Sequence, residues 1–170
     1  MRYLWRLRIR NRHIRTHGRV NIARSAEIVC RRGLAHMELG RDVWIGERTA
    51  IRCHEGSMRI GDRVVLGGSN TVNAYLDVEI GRDVIFADRI YVTDFDHRYQ
   101  DTRIRIQDQG IVCSPVRIGP DCWIGEKATI LRGSDVGAGS VIGAQTIVKG
   151  DIPPYSVAVG SPARVVKRRR

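Results

Sequence analysis

A branched apolar residue returns every six positions along most of this chain, and that period decides what it can fold into. From Ile118 the sequence reads IGPDCW, IGEKAT, ILRGSD, VGAGSV, IGAQTI and VKGDIP, with Ile or Val first in each hexad. Gly holds the second place in four of the six, and the fifth place is small or short at Cys122, Ala128, Ser134, Ser140 and Thr146. Residues six apart on a 3.6-residue turn lie about 240° around the axis, so an α-helix would scatter this apolar set. Short strands joined by corners keep it on one side.

The same register runs upstream in triplets: LGRDVW, IGERTA, IRCHEG from Leu39, then IGDRVV, LGGSNT, VNAYLD from Ile60. IGRDVI and FADRIY follow from Ile80, with Val92 continuing the phase, and Ile22, Ile28 and Leu34 form a weaker first triplet. About six coils of three hexads each are expected, an all-β parallel β-helix. The branched residue points inward, the small one shares the corner, and glycine eases the corner backbone. The flat faces and open ends of such a prism need covering, so an oligomer is expected.

A length of 170 residues fits one domain with one continuous core. The charge divides it: residues 1–32 carry ten arginines against Glu27, the body is nearly neutral, and residues 164–170 add five cations. We divide the chain into a basic N-terminal segment (1–19), the β-helix (20–152) and a C-terminal turn with a basic tail (153–170). Basic ends suit anions: an acidic membrane surface, phosphate-bearing small molecules or nucleic acid. Tyr3 and Trp5 are the only aromatics among residues 1–32, too few to stack bases, so nucleic acid is disfavoured. Residues 3–14 place Tyr3, Leu4, Trp5, Leu7, Ile9 and Ile14 among arginines and suit an anionic interface.

No run approaches the roughly 20 apolar residues of a spanning helix, and the arginines of MRYLWRLRIR stand where a signal peptide is apolar. The expected location is cytoplasmic, with peripheral attachment to the inner membrane face as an option. Cys30, Cys53, Cys113 and Cys122 form no C-x-x-C pair and read as reduced and structural.

A regular column has no chemistry of its own, so its interruptions matter. Small corner loops are expected near Glu55–Ser57 and Val78–Glu79, and one long break runs from Asp94 to Pro115. Loops longer than about 12–15 residues inside a compact fold are usually functional or disordered. This one contains His97 with Asp94, Asp96 and Asp101 nearby. A reaction at a hydroxyl needs a base to take its proton, and imidazole titrates in the useful range. A carboxylate or carbonyl on its other nitrogen would fix the tautomer.

The stretch TDFDHRYQD, then Gln109-Gly110, IGPDCWIG and DIPPYSVAVGSPARVVK, resembles the maltose/galactoside O-acetyltransferases and their polysaccharide O-acetyltransferase relatives. That resemblance implies a left-handed β-helix, a homotrimer with active sites between subunits, and acetyl-CoA as co-substrate, with no permanently bound cofactor or metal. It makes His97 the general base for transfer of an acetyl group to a sugar hydroxyl in a ternary complex. It places Trp123 beside the pantetheine channel, the Glu126 backbone N–H at the thioester carbonyl, and Ala144 at a pantetheine amide. Lys149, Arg164 and Lys167 correspond to cations near the coenzyme A phosphates, and Asn70 and Asp94 to acceptor contacts. Two departures stand out: Lys149 sits one place early, and Gly160-Ser161-Pro162-Ala163 replaces Gly-Asn-Pro-Ala.

Two other classes compete. One is a zinc-dependent carbonic anhydrase-like β-helix, which would need His36, His54 and His97 to converge on one ion. The other is a non-enzymatic scaffold whose basic ends bind membrane or nucleic acid.

Overall fold

The computed structural model describes residues 14–170, and residues 1–13, which carry most of the amphipathic N-terminal pattern, lie outside it. The described chain winds into a parallel β-helix of six complete coils and part of a seventh. Each coil contributes one strand to each of three faces.

Face A holds Ile14–Thr16, Ala35–Leu39, Gly56–Ile60, Asp77–Ile80, Val116–Ile118 and Asp135–Val136. Face B holds Val20–Ile22, Val43–Ile45, Val65–Leu66, Ile85–Phe86, Trp123–Ile124 and Val141–Ile142, extended by Ser156–Val159 and Arg164–Arg168. Face C holds Glu27–Cys30, Ala50–Cys53, Thr71–Ala74, Tyr91–Thr93, Thr129–Ile130 and Ile147–Val148. Ile14, the first described residue, already pairs with Met37 in parallel register inside the segment read as basic and N-terminal. The column also runs past residue 152: Ser156–Val159 stacks on Val141–Ile142, and the basic tail folds back on it as an antiparallel strand.

The hexad phase maps directly onto burial. First-place residues Ile118, Ile124, Ile130, Val136, Ile142 and Val148 are all buried, and so are the fifth-place Cys122, Ala128, Ser134, Ser140 and Thr146. Each buried aliphatic side chain contributes about 1.5–3 kcal/mol, and the ladder repeats the contribution coil after coil. Two of the buried hydroxyls cap carbonyls across the stack, Ser134 donating to Val148 O at 3.2 Å and Ser140 to Pro153 O at 3.1 Å.

Second-place glycine has a different cause from the one the pattern suggests. A Cβ on Gly119 would sit 2.6 Å from Ala138 N, and one on Gly125 would sit 2.6 Å from Ala144 N, so the next coil's backbone requires the gap. The left-handed corner residue is the fourth of the hexad, filled by Asp42, Arg63, Asp83, Asp121, Lys127 and Gln145 at φ of 56–62°.

Outward residues are free of the core and differ from face to face. Face A carries Arg15, Glu38, Arg59, Glu79, Arg117 and Asp135 in register, a ladder of alternating charge. Face B carries Trp44, Val65, Ile85, Trp123, Val141 and Val157 in register, with Trp44 and Trp123 51% and 54% exposed.

Candidate active site

The long break is an antiparallel hairpin, Phe95–His97 against Ile111–Cys113, with a short 3₁₀ turn at Ile106–Asp108. It leaves after a face C strand and rejoins at a face A strand, so it projects from the corner opposite face B. The Ser114 N–H donates to Asp94 O at 2.9 Å and closes its base, and Gln109 ties its tip by donating to the carbonyls of Asp101 and Ile104. His97 is exposed and lines a hollow of about 580 Å³ with Arg105, Ile106 and Gln107. Arg105 donates to Asp108 at 2.6 Å through Nε, which leaves the rest of its guanidinium facing outward. Among the described residues no carboxylate or carbonyl bonds the His97 imidazole, contrary to the expected tautomer-fixing partner.

Two of the expected acceptor contacts turn inward. Asn70 is fully buried, donating to Ala87 O and accepting from the Ile90 N–H, so it stitches two coils together. Asp94 is also fully buried, its carboxylate filled by backbone N–H groups of Tyr75, Leu76 and Asp77. Neither offers an atom to a ligand. Asn73, which pairs with Thr93 on the next coil, has an Oδ1 that is buried without a hydrogen-bond partner. The sequence holds no signal separating Asn70 from Asn73 beyond hexad phase: Asn70 is a fifth-place residue and Asn73 is an outward one.

The residues expected on the donor side lie elsewhere. Trp123 stands exposed on face B, and Glu126 and Ala144 occupy the third hexad place at the corner that follows it. In the same corner stack the third-place N–H of Gly68 donates to Asp88 Oδ1 at 2.7 Å. Those of Glu126 and Ala144 meet no acceptor among the described residues. The Arg89 guanidinium bonds the Glu126 carboxylate and holds its carboxyl below the usual carboxylate range.

Above face B, a hollow of about 570 Å³ is lined by Val141, Val157, Lys167, Arg168, Arg169 and Arg170. Arg169 is anchored there by Asp121 Oδ2 at 3.1 Å and Gly139 O at 2.6 Å. Lys167 therefore joins a cationic pocket, whereas Arg164 and Lys149 do not line it. Arg168, Arg169 and Arg170 were missed as site residues, although the terminal charge run was the signal for them.

His36 and His54 do not gather with His97 around one centre. His36 lies on face A, 2.9 Å from Glu38, and His54 stacks on Tyr75. Among the described residues no three His, Cys, Asp or Glu side chains form a metal-holding set.

Residues 115–150 match the bacterial transferase hexapeptide family, a run of six repeats. A probable acetyltransferase of Mycobacterium tuberculosis is 53% identical over 98% of the chain and 56% of its own length. An Escherichia coli protein named for lipopolysaccharide biosynthesis O-acetyl transfer is 32% identical over 66% of the chain and 61% of its own length. The chain carries the hexapeptide repeat of the bacterial transferases. It spans little more than half the length of those two relatives. The fold matches AntD, a Bacillus cereus N-acyltransferase solved with dTDP and 3-hydroxybutyryl-CoA, at a TM-score of 0.81 and 19% identity over 97% of this chain and 88% of that one. It also matches a galactoside acetyltransferase solved with coenzyme A, at a TM-score of 0.63 and 24% identity over 92% and 66%. At those identities the likeness is one of fold. Among the described residues no helix is long and apolar enough to cross a membrane.

Proposed function

We propose that the protein is an acyl-CoA-dependent O-acyltransferase that moves an acetyl group from acetyl-CoA to a hydroxyl of a sugar or polysaccharide precursor. The observation that carries this reading is the exposed His97 imidazole on a hairpin hollow, in a chain with a separate cationic pocket beside Trp123. His97 accepts the acceptor's hydroxyl proton as that oxygen attacks the thioester carbonyl carbon. The C–S bond then breaks, and the imidazolium returns the proton to the departing coenzyme A thiolate. The free N–H of Glu126 suits the developing oxyanion, and that of Ala144 suits an amide of the pantetheine arm. Lys167 and Arg168–Arg170 suit the donor's phosphates, where guanidinium forks bind strongly.

Within one chain the hairpin and face B lie on opposite sides of the prism, so the reading requires a second copy to complete each site. A homotrimer that buries the apolar face B residues supplies it, and covers a stripe that a soluble monomer would not leave open. The lipopolysaccharide-related name of the E. coli relative favours a saccharide hydroxyl over an amine. The test is a panel of sugars and sugar nucleotides with acetyl-CoA, monitored by thiol release and by the mass of the product. An ester-linked acetyl on a saccharide is the expected result; acetyl transfer to amines alone contradicts O-acylation.

A further inference from the structure

His97 needs orienting, and no hydrogen bond within the described chain does it. What reaches the imidazole is a stack of rings. His54 and Tyr75 hold the same ladder place on successive coils, with ring centroids 4.8 Å apart and planes 19° from parallel. Tyr75 meets Phe95 at 4.6 Å and 63°, and Phe95 meets His97 at 6.3 Å and 80°. The last two contacts are edge-to-face, the arrangement that sets the positive rim of one ring against the negative face of the next. The stack therefore runs from the rigid column outward to the reactive side chain.

Its root is pinned by Asp94. The buried carboxylate accepts three N–H bonds, each of 2.8 Å, from consecutive residues: Tyr75 on Oδ1, Leu76 and Asp77 on Oδ2. A carboxylate removed from water is stable only when donors replace the lost hydration. The bonds tie the first residue of the hairpin to the turn that carries Tyr75 in the coil below. The Asp94 carbonyl in turn receives Ser114 N–H from the returning strand. One residue thus fixes both legs of the hairpin and the ring beneath it.

We infer that the His54–Tyr75–Phe95 stack, anchored by Asp94, orients the His97 imidazole, and that Tyr75 and Phe95 are positioning residues for acyl transfer. The inference rests on the reading of His97 as the base, and the two are separable by experiment. With histidine labelled at Cε1, the His97 resonance is assigned by its loss in His97→Ala and then followed in Tyr75→Leu, Tyr75→Phe and Phe95→Leu, using the full chain. Phe95 lies on the hairpin outside the column, so Phe95→Leu keeps the test open if Tyr75→Leu fails to fold.

Both leucine variants should displace or broaden the His97 signal and lower kcat by roughly 10- to 100-fold, the scale of an ångström-level misplacement, with KM for acetyl-CoA unchanged. Tyr75→Phe keeps the ring and should restore both readouts. A His97 resonance unmoved in both leucine variants overturns the inference, whatever happens to kcat. A displaced resonance with unchanged kcat overturns Tyr75 and Phe95 as positioning residues for acyl transfer, whereas unchanged kcat in His97→Ala overturns the base itself.

Discussion

Two antiparallel hairpins are added to one parallel column, and they carry opposite kinds of chemistry. The hairpin at residues 95–113 leaves the corner between faces C and A and carries one exposed imidazole. The hairpin at residues 156–168 lies on face B and ends in the cations that line the second hollow. The column between them uses its first- and fifth-place residues for packing, so it has no inward side chain to spare for a reaction. Departures from the repeat are where a solenoid can place reactive groups, and on the function proposed above each departure supplies one half of what acyl transfer needs.

That division predicts effects that separate cleanly. The largest is expected for His97→Ala: kcat should fall roughly 10²- to 10⁴-fold, the range for a positioned acid–base group, while KM for acetyl-CoA and assembly mass stay unchanged. Steady-state kinetics with light scattering checks this, and a shift in donor KM alone would erase the distinction between the hairpins. Next comes the column itself. Ile124 is fully buried in the face B stack, so Ile124→Ala should cost about 2–5 kcal/mol of stability, read by denaturant unfolding. Activity per folded molecule should persist.

The C-terminal hairpin should give a smaller, donor-specific effect. Replacing Lys167 and Arg168 with Gln together should raise KM for acetyl-CoA about 10-fold, near 1.4 kcal/mol, and weaken its salt dependence. The acceptor KM should not move; if it does, this pocket serves the acceptor.

The smallest effect distinguishes the column's charged face from both hairpins. Burial pushes the Asp77 carboxyl up, but the Ser57 hydroxyl and the Arg117 and Arg59 guanidiniums more than reverse it. Its folded value is depressed, so the stability it contributes is complete above the unfolded carboxylate range near 4 and is lost as pH falls through the lower folded value. The melting temperature should hold between about pH 7 and 5 and drop below about 4, less so in Asp77→Asn.

Much of the column was legible because hexad phase reports burial directly: Ile118, Cys122 and their equivalents are inward, and Trp44 and Trp123 are outward, as their places imply. The corner was less legible. Glycine recurs at the second place because of a neighbouring coil that a linear sequence does not show, while the left-handed fourth place accepts Asp, Arg, Lys and Gln and leaves no compositional mark. The site was legible in part. His97 stands out by its long break, but Asn70, Asn73 and Asp94 are short polar residues whose direction is set by three-dimensional register. The ends of the column were not legible in the hexads, because Ile14 and Ser156–Val159 join it by pairing with strands distant in sequence.

On the function proposed above, two copies of the chain build each site, one giving His97 and the other the face B donor pocket. Two inactive chains test it directly: His97→Ala, and a donor-defective chain carrying Trp123→Arg with Lys167→Glu and Arg168→Glu. Each is purified alone, and the two are then co-assembled and assayed for acetyl transfer. Mixed assemblies should regain activity, since some interfaces pair an intact imidazole with an intact pocket. Mixed assemblies of confirmed composition that stay inactive would contradict the shared site.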